Sequence, residues 1–202
     1  MRKGAVDRQK VIDATDALIS EGGLETAKAR AIADKVGVAT GSLYYAFGDL
    51  NGLLCEVGKR VYDAFYALAS DALDQACARG DDVRAQLMTL ADAYIRFVQE
   101  NKTRWGAVMA FNARPIAFPE DYLRRQSDLY RLIERALQAG PCERSPELNR
   151  RAARVLFATV HGVIITGLER MDRASVREES WARIALAVDA MLGHLERECA
   201  QA

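Results

Sequence analysis

Apolar residues recur with helical spacing along nearly the whole chain, and this periodicity limits the possible folds most. In residues 11–19 they fall at intervals of three and four, which places them on one face of a helix. Similar spacing returns in later segments that are separated by glycines and prolines. We find no stretch that alternates apolar and polar residues as a strand does. The sequence therefore predicts an all-α protein of nine helices.

Glycine and proline positions predict where these helices begin and end. Three short helices come first, ending before Gly22 and then spanning residues 27–36 and 40–47, with Thr26 as the expected cap of the second. Six mostly longer helices follow at residues 50–79, 81–101, 103–112, 119–139, 145–171 and 176–199. We expect two domains: a three-helix head at residues 1–49 and a six-helix domain at residues 50–202.

Composition excludes several classes of protein. The 28 Lys and Arg residues balance 28 Asp and Glu residues, so any nucleic-acid site must be local. Half of the residues are apolar, which is typical of a soluble globular protein. The chain opens on charged residues, and its most apolar run, residues 155–168, is too short to span a bilayer. The sequence predicts a cytoplasmic protein.

The residues that usually carry catalysis or bind metals are scattered. Four cysteines stand far apart, without a metal-binding or thioredoxin-like spacing. They are Cys55, Cys77, Cys142 and Cys199. Such spacing fits inert thiols in a reducing compartment. The two histidines lie on different predicted helices without companion ligands, and no glycine-rich phosphate loop occurs. We therefore expect no enzyme activity, no metal and no cofactor.

Residues 27–47 combine two short helices around a tight turn. Ile32 and Val36 give the first of them an apolar stripe, and Gly37 can adopt the left-handed conformation that a sharp turn needs. Leu43 and Phe47 anchor the second, whose start carries small and hydroxyl side chains. This pattern predicts a helix-turn-helix, in which the second helix enters the major groove of DNA.

Residues 11–54, about a quarter of the chain, resemble the N-terminal domain of the TetR family of transcriptional repressors. The resemblance is carried by Ile32-Ala33, Val36-Gly37-Val38, Gly41-Ser42-Leu43-Tyr44-Tyr45, Phe47 and Leu53-Leu54. It implies a DNA-binding head followed by a helical ligand-binding and dimerisation domain. The six remaining predicted helices agree with that domain in number and length.

The resemblance also implies which residues contact DNA. Thr40, Gly41 and Ser42 stand where family members approach base edges. Tyr44 and Tyr45 stand where hydroxyls reach phosphates, which are contacts that position the protein without reading sequence. The alternative for Tyr45 is a ring packed in the core of the head.

Three positions depart from the family pattern. Ala39 replaces the usual Ser or Thr cap, although Thr40 could cap the helix after a shift of one residue. Leu50 replaces a lysine that touches phosphate, and Lys28 replaces a threonine. Lys28 could restore a phosphate contact or remain solvated. The basic residues near the N-terminus suit an arm that reaches DNA: Arg2, Lys3, Arg8 and Lys10.

The second half holds most of the aromatic residues. In the family they would line a ligand cavity, whereas the alternative for each residue is ordinary core packing. Aromatic rings together with methionine suit a planar or flexible apolar ligand. The candidate ligand contacts are Tyr66, Tyr94, Trp105, Met109, Asn112 and His161. For His161, a core histidine with one hydrogen bond is the alternative.

Residues 155–168 are apolar on nearly every side, which predicts a helix shared between two protomers. Ala158, Gly162 and Thr166 form a row of small residues that lets another helix approach closely. The last helix carries a second stripe, made of Trp181, Ile184, Ala185, Val188, Met191, Leu192 and Leu195. Two such helices from each of two chains would form a four-helix interface.

Together these features predict a homodimeric repressor that binds a near-palindromic operator and is released by a small apolar or aromatic ligand. One alternative is a redox-responsive regulator that uses Cys55, Cys77 or Cys142, which would need a thiol of perturbed reactivity. Another is a small-molecule carrier or enzyme that keeps the head as a relic. Tight ligand binding or turnover without DNA binding would favour the relic.

Overall fold

The computed structural model describes residues 6–140, 144–167 and 174–201. Helices make up nearly all of these residues, with one 3-10 turn at Leu24–Thr26 and no strand in the ranges just given. The helices are α1 Arg8–Gly22, α2 Ala29–Val36, α3 Thr40–Phe47, α4 Leu50–Ala78, α5 Val83–Glu100, α6 Lys102–Asn112, α7 Glu120–Gln138, α8 Pro146–Gly167 and α9 Ala174–Gln201. The prediction of an all-α fold with nine helices is confirmed for the described part of the chain.

Side chains that precede the helices explain where several of them begin. A carboxylate oxygen of Asp7 accepts the N–H of Lys10 at 3.2 Å, and Oγ of Ser145 accepts the N–H of Leu148 at 3.2 Å. Thr26 does not cap α2 as predicted. Its hydroxyl instead donates to the carbonyls of Leu18, in α1, and of Gly23, because the 3-10 turn delays the start of α2 to Ala29.

The described residues form two compact units. The first runs to Ala64 and includes Glu100–Arg125, and the second comprises Phe65–Gln99 and the residues from Gln126 onward. The predicted boundary between residues 49 and 50 falls inside the first unit, because the start of α4, α6 and the start of α7 pack with α1–α3.

An ion pair ties α6 to α1 inside the first unit. The guanidinium of Arg104 reaches both carboxylate oxygens of Asp16, from Nε at 2.9 Å and from the terminal nitrogen at 2.8 Å. The two side chains are only 26% and 19% exposed, so solvent screens this pair less than a surface pair.

An aromatic cluster fills the core of the first unit. The amide of Asn112 donates to the hydroxyl of Tyr62 at 2.7 Å and accepts from that of Tyr122 at 2.8 Å. Trp105, fully buried, meets the Tyr62 ring edge-on at 6.1 Å between ring centres. Gly58 makes room for the cluster, because a Cβ there would lie 2.7 Å from the Tyr122 ring.

None of the helices in the described segments is both long and apolar enough to cross a membrane.

Candidate DNA-binding surface and ligand cavity

The turn between α2 and α3 has the geometry that the sequence predicted. Gly37 adopts a left-handed conformation with φ +74°, and the N–H groups of Gly37 and Val38 both donate to the carbonyl of Ala33, at 2.9 and 3.0 Å. Ile32 and Leu43 are buried on the inner side of the two helices. This packing directs the opposite side of α3 outward.

The outer face of α3 is exposed and carries no charge. Gly41 is exposed and Thr40 and Ser42 are half-buried, whereas Tyr44 is 46% and Tyr45 is 95% exposed. The alternative that Tyr45 packs in the core is therefore wrong. All five residues predicted to meet DNA on α3 thus share one helix of two turns.

The start of α3 lacks a side-chain cap. Ala39 occupies the N-cap position, and its carbonyl accepts the N–H of Ser42 at 2.9 Å. The predicted one-residue shift does not occur, because α3 begins at Thr40 itself. Lys28 is exposed at the N-cap position of α2, and Leu50 is half-buried at the start of α4.

Arg8 is held by the fold, although its position near the N-terminus suggested an arm on DNA. Its guanidinium lies 4.2 Å from the centre of the Phe47 ring, donates to the carbonyl of Ala46 and lies 3.5 Å from a carboxylate oxygen of Glu56. Lys10 is exposed. Arg2 and Lys3 lie outside the described residues.

The second unit contains an apolar cavity that is partly open to solvent. Its volume is about 50 Å³, and helices α4, α5, α7, α8 and α9 each contribute to its wall. The lining residues are Phe65, Ala69, Leu87, Leu90, Ala91, Tyr94, Leu129, Leu132, Ile133, Leu156, Phe157, Val160 and Val188. Tyr94 alone among these described residues has a polar group on its side chain. An apolar wall with very few polar groups is typical of small-molecule sites in proteins.

Tyr94, which lines this wall, forms a polar pair with His161, which does not line it. The hydroxyl of Tyr94 is hydrogen-bonded to Nδ1 of His161, and the two rings lie nearly parallel, at 9°. Phe157 stacks against both rings, 5.7 Å from Tyr94 and 5.9 Å from His161 between ring centres. Burial lowers the pKa of His161, which keeps its ring neutral.

The structure brings together only some of the six predicted ligand contacts. Tyr94 lines the cavity, and His161 is hydrogen-bonded to Tyr94. Tyr66 is 39% exposed and does not line the cavity. Trp105, Met109 and Asn112 belong to the first unit. Trp105 and Asn112 belong to its aromatic cluster. The prediction misplaced them because aromatic composition alone does not distinguish a cavity wall from a packed core. Most residues that line the cavity are aliphatic, and nothing in the sequence beyond helical periodicity marked them as cavity residues.

The structure argues against Cys55 as a redox-responsive residue. Cys55 is buried, and this burial raises the pKa of its thiol to about 11, so the thiol is protonated at neutral pH. Cys77 is exposed, and Cys142 lies outside the described residues. Cys199 is disulfide-bonded, contrary to the expectation of unpaired thiols. Sequence spacing did not predict this bond, because pairing depends on which segments meet in space.

Metal binding finds no support in the described part of the chain, where no group of acidic, histidine and cysteine residues could hold a metal ion.

Helix α8 leaves a row of small and apolar residues uncovered. Ala158, Gly162 and Thr166 are all exposed, and a Cβ on Gly162 would meet no atom within 4 Å. Val155 and Ile165 flank this row at 53% and 37% exposure.

Three of the seven residues in the stripe predicted as the α9 interface face inward, and the other four are half-buried. Ile184, Val188 and Leu195 are buried within the chain itself. Among the large apolar residues of α9 whose exposure is described, Leu186 points outward and is 70% exposed. Sequence periodicity marked the buried face of this amphipathic helix and did not show which neighbour covers it.

A helix-turn-helix head with an uncharged, exposed recognition helix, carried by a chain with an apolar cavity, defines a ligand-responsive DNA-binding regulator. Comparison with known proteins agrees. Residues 11–57 match the family model of bacterial regulatory proteins of the tetR family, and residues 87–188 match the tetracyclin repressor-like C-terminal domain. The chain belongs to the TetR family of transcriptional regulators, as the sequence resemblance predicted.

Individual relatives support this assignment. The HTH-type transcriptional regulator BetI of Stenotrophomonas maltophilia (strain R551-3) is 30% identical over 171 residues, covering 80% of this chain and 81% of BetI. The fold is similar to that of the regulator FadR from Bacillus subtilis, solved with stearoyl-CoA, at a TM-score of 0.68 and 15% identity over 89% of this chain and 97% of FadR. The fold is also similar to that of a TetR transcriptional regulator from Rhodococcus sp. RHA1, at a TM-score of 0.63 and 19% identity over 92% of this chain and 95% of that regulator.

Proposed function

We propose that this regulator is a homodimeric repressor whose two α3 helices enter successive major grooves of a near-palindromic operator. Thr40, Gly41 and Ser42 meet base edges in this arrangement, and Tyr44 and Tyr45 meet phosphates. The observation that carries the proposal is the outward face of α3, where Tyr45 is 95% exposed without any partner element to cover it in the described residues.

The residues on either side of α3 include few positive charges that could contact DNA. Between Lys35 and Lys59 the sequence has no Lys or Arg, and among the DNA contacts predicted for α2 and α3 only Lys28 is cationic. Each neutralised phosphate adds about −0.9 to the slope of log affinity against log salt. We therefore expect a shallow salt dependence, with hydroxyl groups supplying much of the phosphate contact.

The exposed apolar residues of α8 and α9 support a homodimer. A glycine within a helix costs about 1 kcal/mol relative to alanine, and no atom of the described residues lies close enough to a Cβ at Gly162 to explain its presence. A second copy that brings its own α8 and α9 against this face would bury Val155, Ile165 and Leu186. Such a twofold contact is self-complementary and places two heads on one operator.

The cavity of the second unit is the proposed effector site. The dimer has two states that differ in the spacing of its heads, and only one of them fits DNA. A small apolar or aromatic ligand that binds the other state more tightly shifts the dimer away from DNA. FadR was solved with stearoyl-CoA, so a protein of similar fold accepts a ligand with a long apolar chain. As a DNA-binding regulator, the protein would act in the cytoplasm.

The test is selection of duplexes from the source genome by the full-length protein, followed by footprinting. A repressor of this kind protects a near-palindrome. The double variant Thr40→Ala/Ser42→Ala should lose base preference, because each base contact contributes about 1–3 kcal/mol. Tyr44→Phe should weaken good and poor sites alike. Protection of the same palindrome by the double variant would show that α3 does not read the bases.

A further inference from the structure

The wall of the cavity in the second unit has no means of compensating a charged ligand. Among the described residues that line it there is no Lys, Arg, Asp or Glu. A carboxylate or ammonium group taken into such surroundings loses its hydration and finds no counter-ion. The nearby ion pairs Arg84–Asp189 and Arg135–Asp74 are exposed and do not line the cavity.

The pair of Tyr94 and His161 suits a hydrogen bond to an uncharged oxygen of a ligand. The hydroxyl of Tyr94 can donate or accept, according to which nitrogen of His161 carries the proton. A ligand hydroxyl can also donate or accept, and a carbonyl oxygen accepts. Because burial lowers the pKa of His161, the pair carries no positive charge that would attract a carboxylate.

The position of the pair is set by packing. Tyr94 is only 3% exposed, and its ring is held between Phe65, at 4.9 Å, and Phe157, at 5.7 Å between ring centres. His161 continues the stack on α8. A ring fixed in this way keeps its hydroxyl in one position, which favours ligands with one polar end over ligands with several polar groups.

We propose that the cavity binds an uncharged, largely apolar molecule with a single hydroxyl or carbonyl oxygen, which is hydrogen-bonded by the Tyr94–His161 pair. Long-chain alcohols, ketones and simple phenols belong to this class. The inference rests on the proposed effector role of the cavity, which it narrows to one ligand chemistry.

The experiment uses probes of equal chain length and different ends. Binding of 1-octanol, 2-octanone, octanoate, octyltrimethylammonium and n-octane to the full-length protein is measured by calorimetry and thermal denaturation, near neutral pH and without DNA. Octanol and octanone should bind and raise the melting temperature by mass action. Octanoate and octyltrimethylammonium should bind at least about 100-fold more weakly, because they bury a charge.

Two matched variants locate the polar contact. Tyr94→Phe should weaken octanol binding about 3- to 10-fold and leave octane binding unchanged, because one hydrogen bond is removed. Tyr66→Phe removes the same hydroxyl from a tyrosine outside the cavity wall, so octanol should bind this variant as it binds the wild type. Circular dichroism checks that both variants fold, and the comparison among probes needs only the wild-type protein.

Octanoate or octyltrimethylammonium binding as tightly as octanol would overturn the proposal. So would equal octanol affinity in the Tyr94→Phe variant and the wild type, or no binding of any of the oxygen-bearing probes. Operator binding is measured separately on the same protein. Loss of this ligand class with operator binding intact rejects the inference alone, whereas loss of operator binding rejects the proposed function.

Discussion

The guanidinium of Arg8, in the first turn of α1, lies 4.2 Å from the centre of the Phe47 ring, at the last residue of α3. Arg8 also donates to the carbonyl of Ala46, so a cation meets both the aromatic face and the negative end of the recognition helix. The orientation of α3 is therefore secured from α1, through a residue whose position suggested an arm on DNA.

Replacement of this arginine should loosen the end of α3. We expect Arg8→Ala to lower the free energy of unfolding by about 1–2 kcal/mol, since it removes a cation–π contact and a charge at the helix C-terminus. Operator affinity should fall as well. Chemical denaturation and fluorescence anisotropy measure the two effects. Lys10→Ala, at an exposed neighbour on the same helix, is the control for stability, and equal stability of the two variants would contradict the prediction.

The pair of Arg104 and Asp16 should matter for the stability of the first unit. We expect Arg104→Ala to cost about 1–3 kcal/mol of unfolding free energy, because it leaves a largely buried carboxylate without its bidentate partner. Arg104→Lys should recover little, because an ammonium does not reproduce the two parallel bonds. Arg30→Ala breaks a pair that is 91% and 76% exposed and should change stability by less than about 0.5 kcal/mol. Similar losses in the Arg104→Ala and Arg30→Ala variants would refute this account.

Substitution of Gly41 should weaken DNA binding without lowering the stability of the protein. A Cβ at this position meets no atom within 4 Å, so Gly41→Ala should leave the unfolding free energy unchanged or raise it by up to about 1 kcal/mol. Operator affinity should nevertheless fall, because the added methyl group enters the space proposed for DNA. Gly106→Ala, on α6 and equally open, is the control that should leave affinity unchanged. Unchanged operator affinity in Gly41→Ala would place DNA elsewhere.

Gly162 tests the proposed dimer. We expect Gly162→Leu to give monomers at low micromolar concentration in sedimentation, with helical circular dichroism retained. Overpacking costs about 1–3 kcal/mol at each copy, and a twofold interface carries the substitution twice. Gly106→Leu introduces the same side chain at another open helical glycine and should leave the association state unchanged. A Gly162→Leu protein that remains dimeric would move the interface away from this row.

Burial of His161 should make stability depend on pH. Its pKa is lowered in the folded protein, so the unfolded chain takes up the proton first as the pH falls below the ordinary value of 6.5. The stabilisation is therefore fully present above that pH and is lost below it, with a slope of at most about 1.4 kcal/mol per pH unit. Denaturation of the His161→Gln variant across this range should show a smaller slope than the wild type. The exposed histidine variant His194→Gln is the control, and equal slopes in all three proteins would contradict the prediction.

Local sequence determined the helices and the DNA-binding head. Helical periodicity and helix-ending glycines act over a few residues, so the order and type of the elements followed from the chain alone. The turn at Gly37 was predicted for the same reason, because its left-handed conformation and the apolar anchors Ile32 and Leu43 are all close in sequence. The family resemblance rests on this local pattern.

Only the tertiary structure decided what each apolar residue faces. Trp105 and Tyr94 are both aromatic residues on amphipathic helices, yet one fills the core of the first unit and the other lines the cavity of the second. The stripe of Ile184 and Val188 turned out to be interior, whereas the row at Gly162 stayed uncovered. Periodicity specifies that a helix has an apolar face, but the neighbour of that face comes from residues distant in sequence, and its identity depends on how the helices pack together.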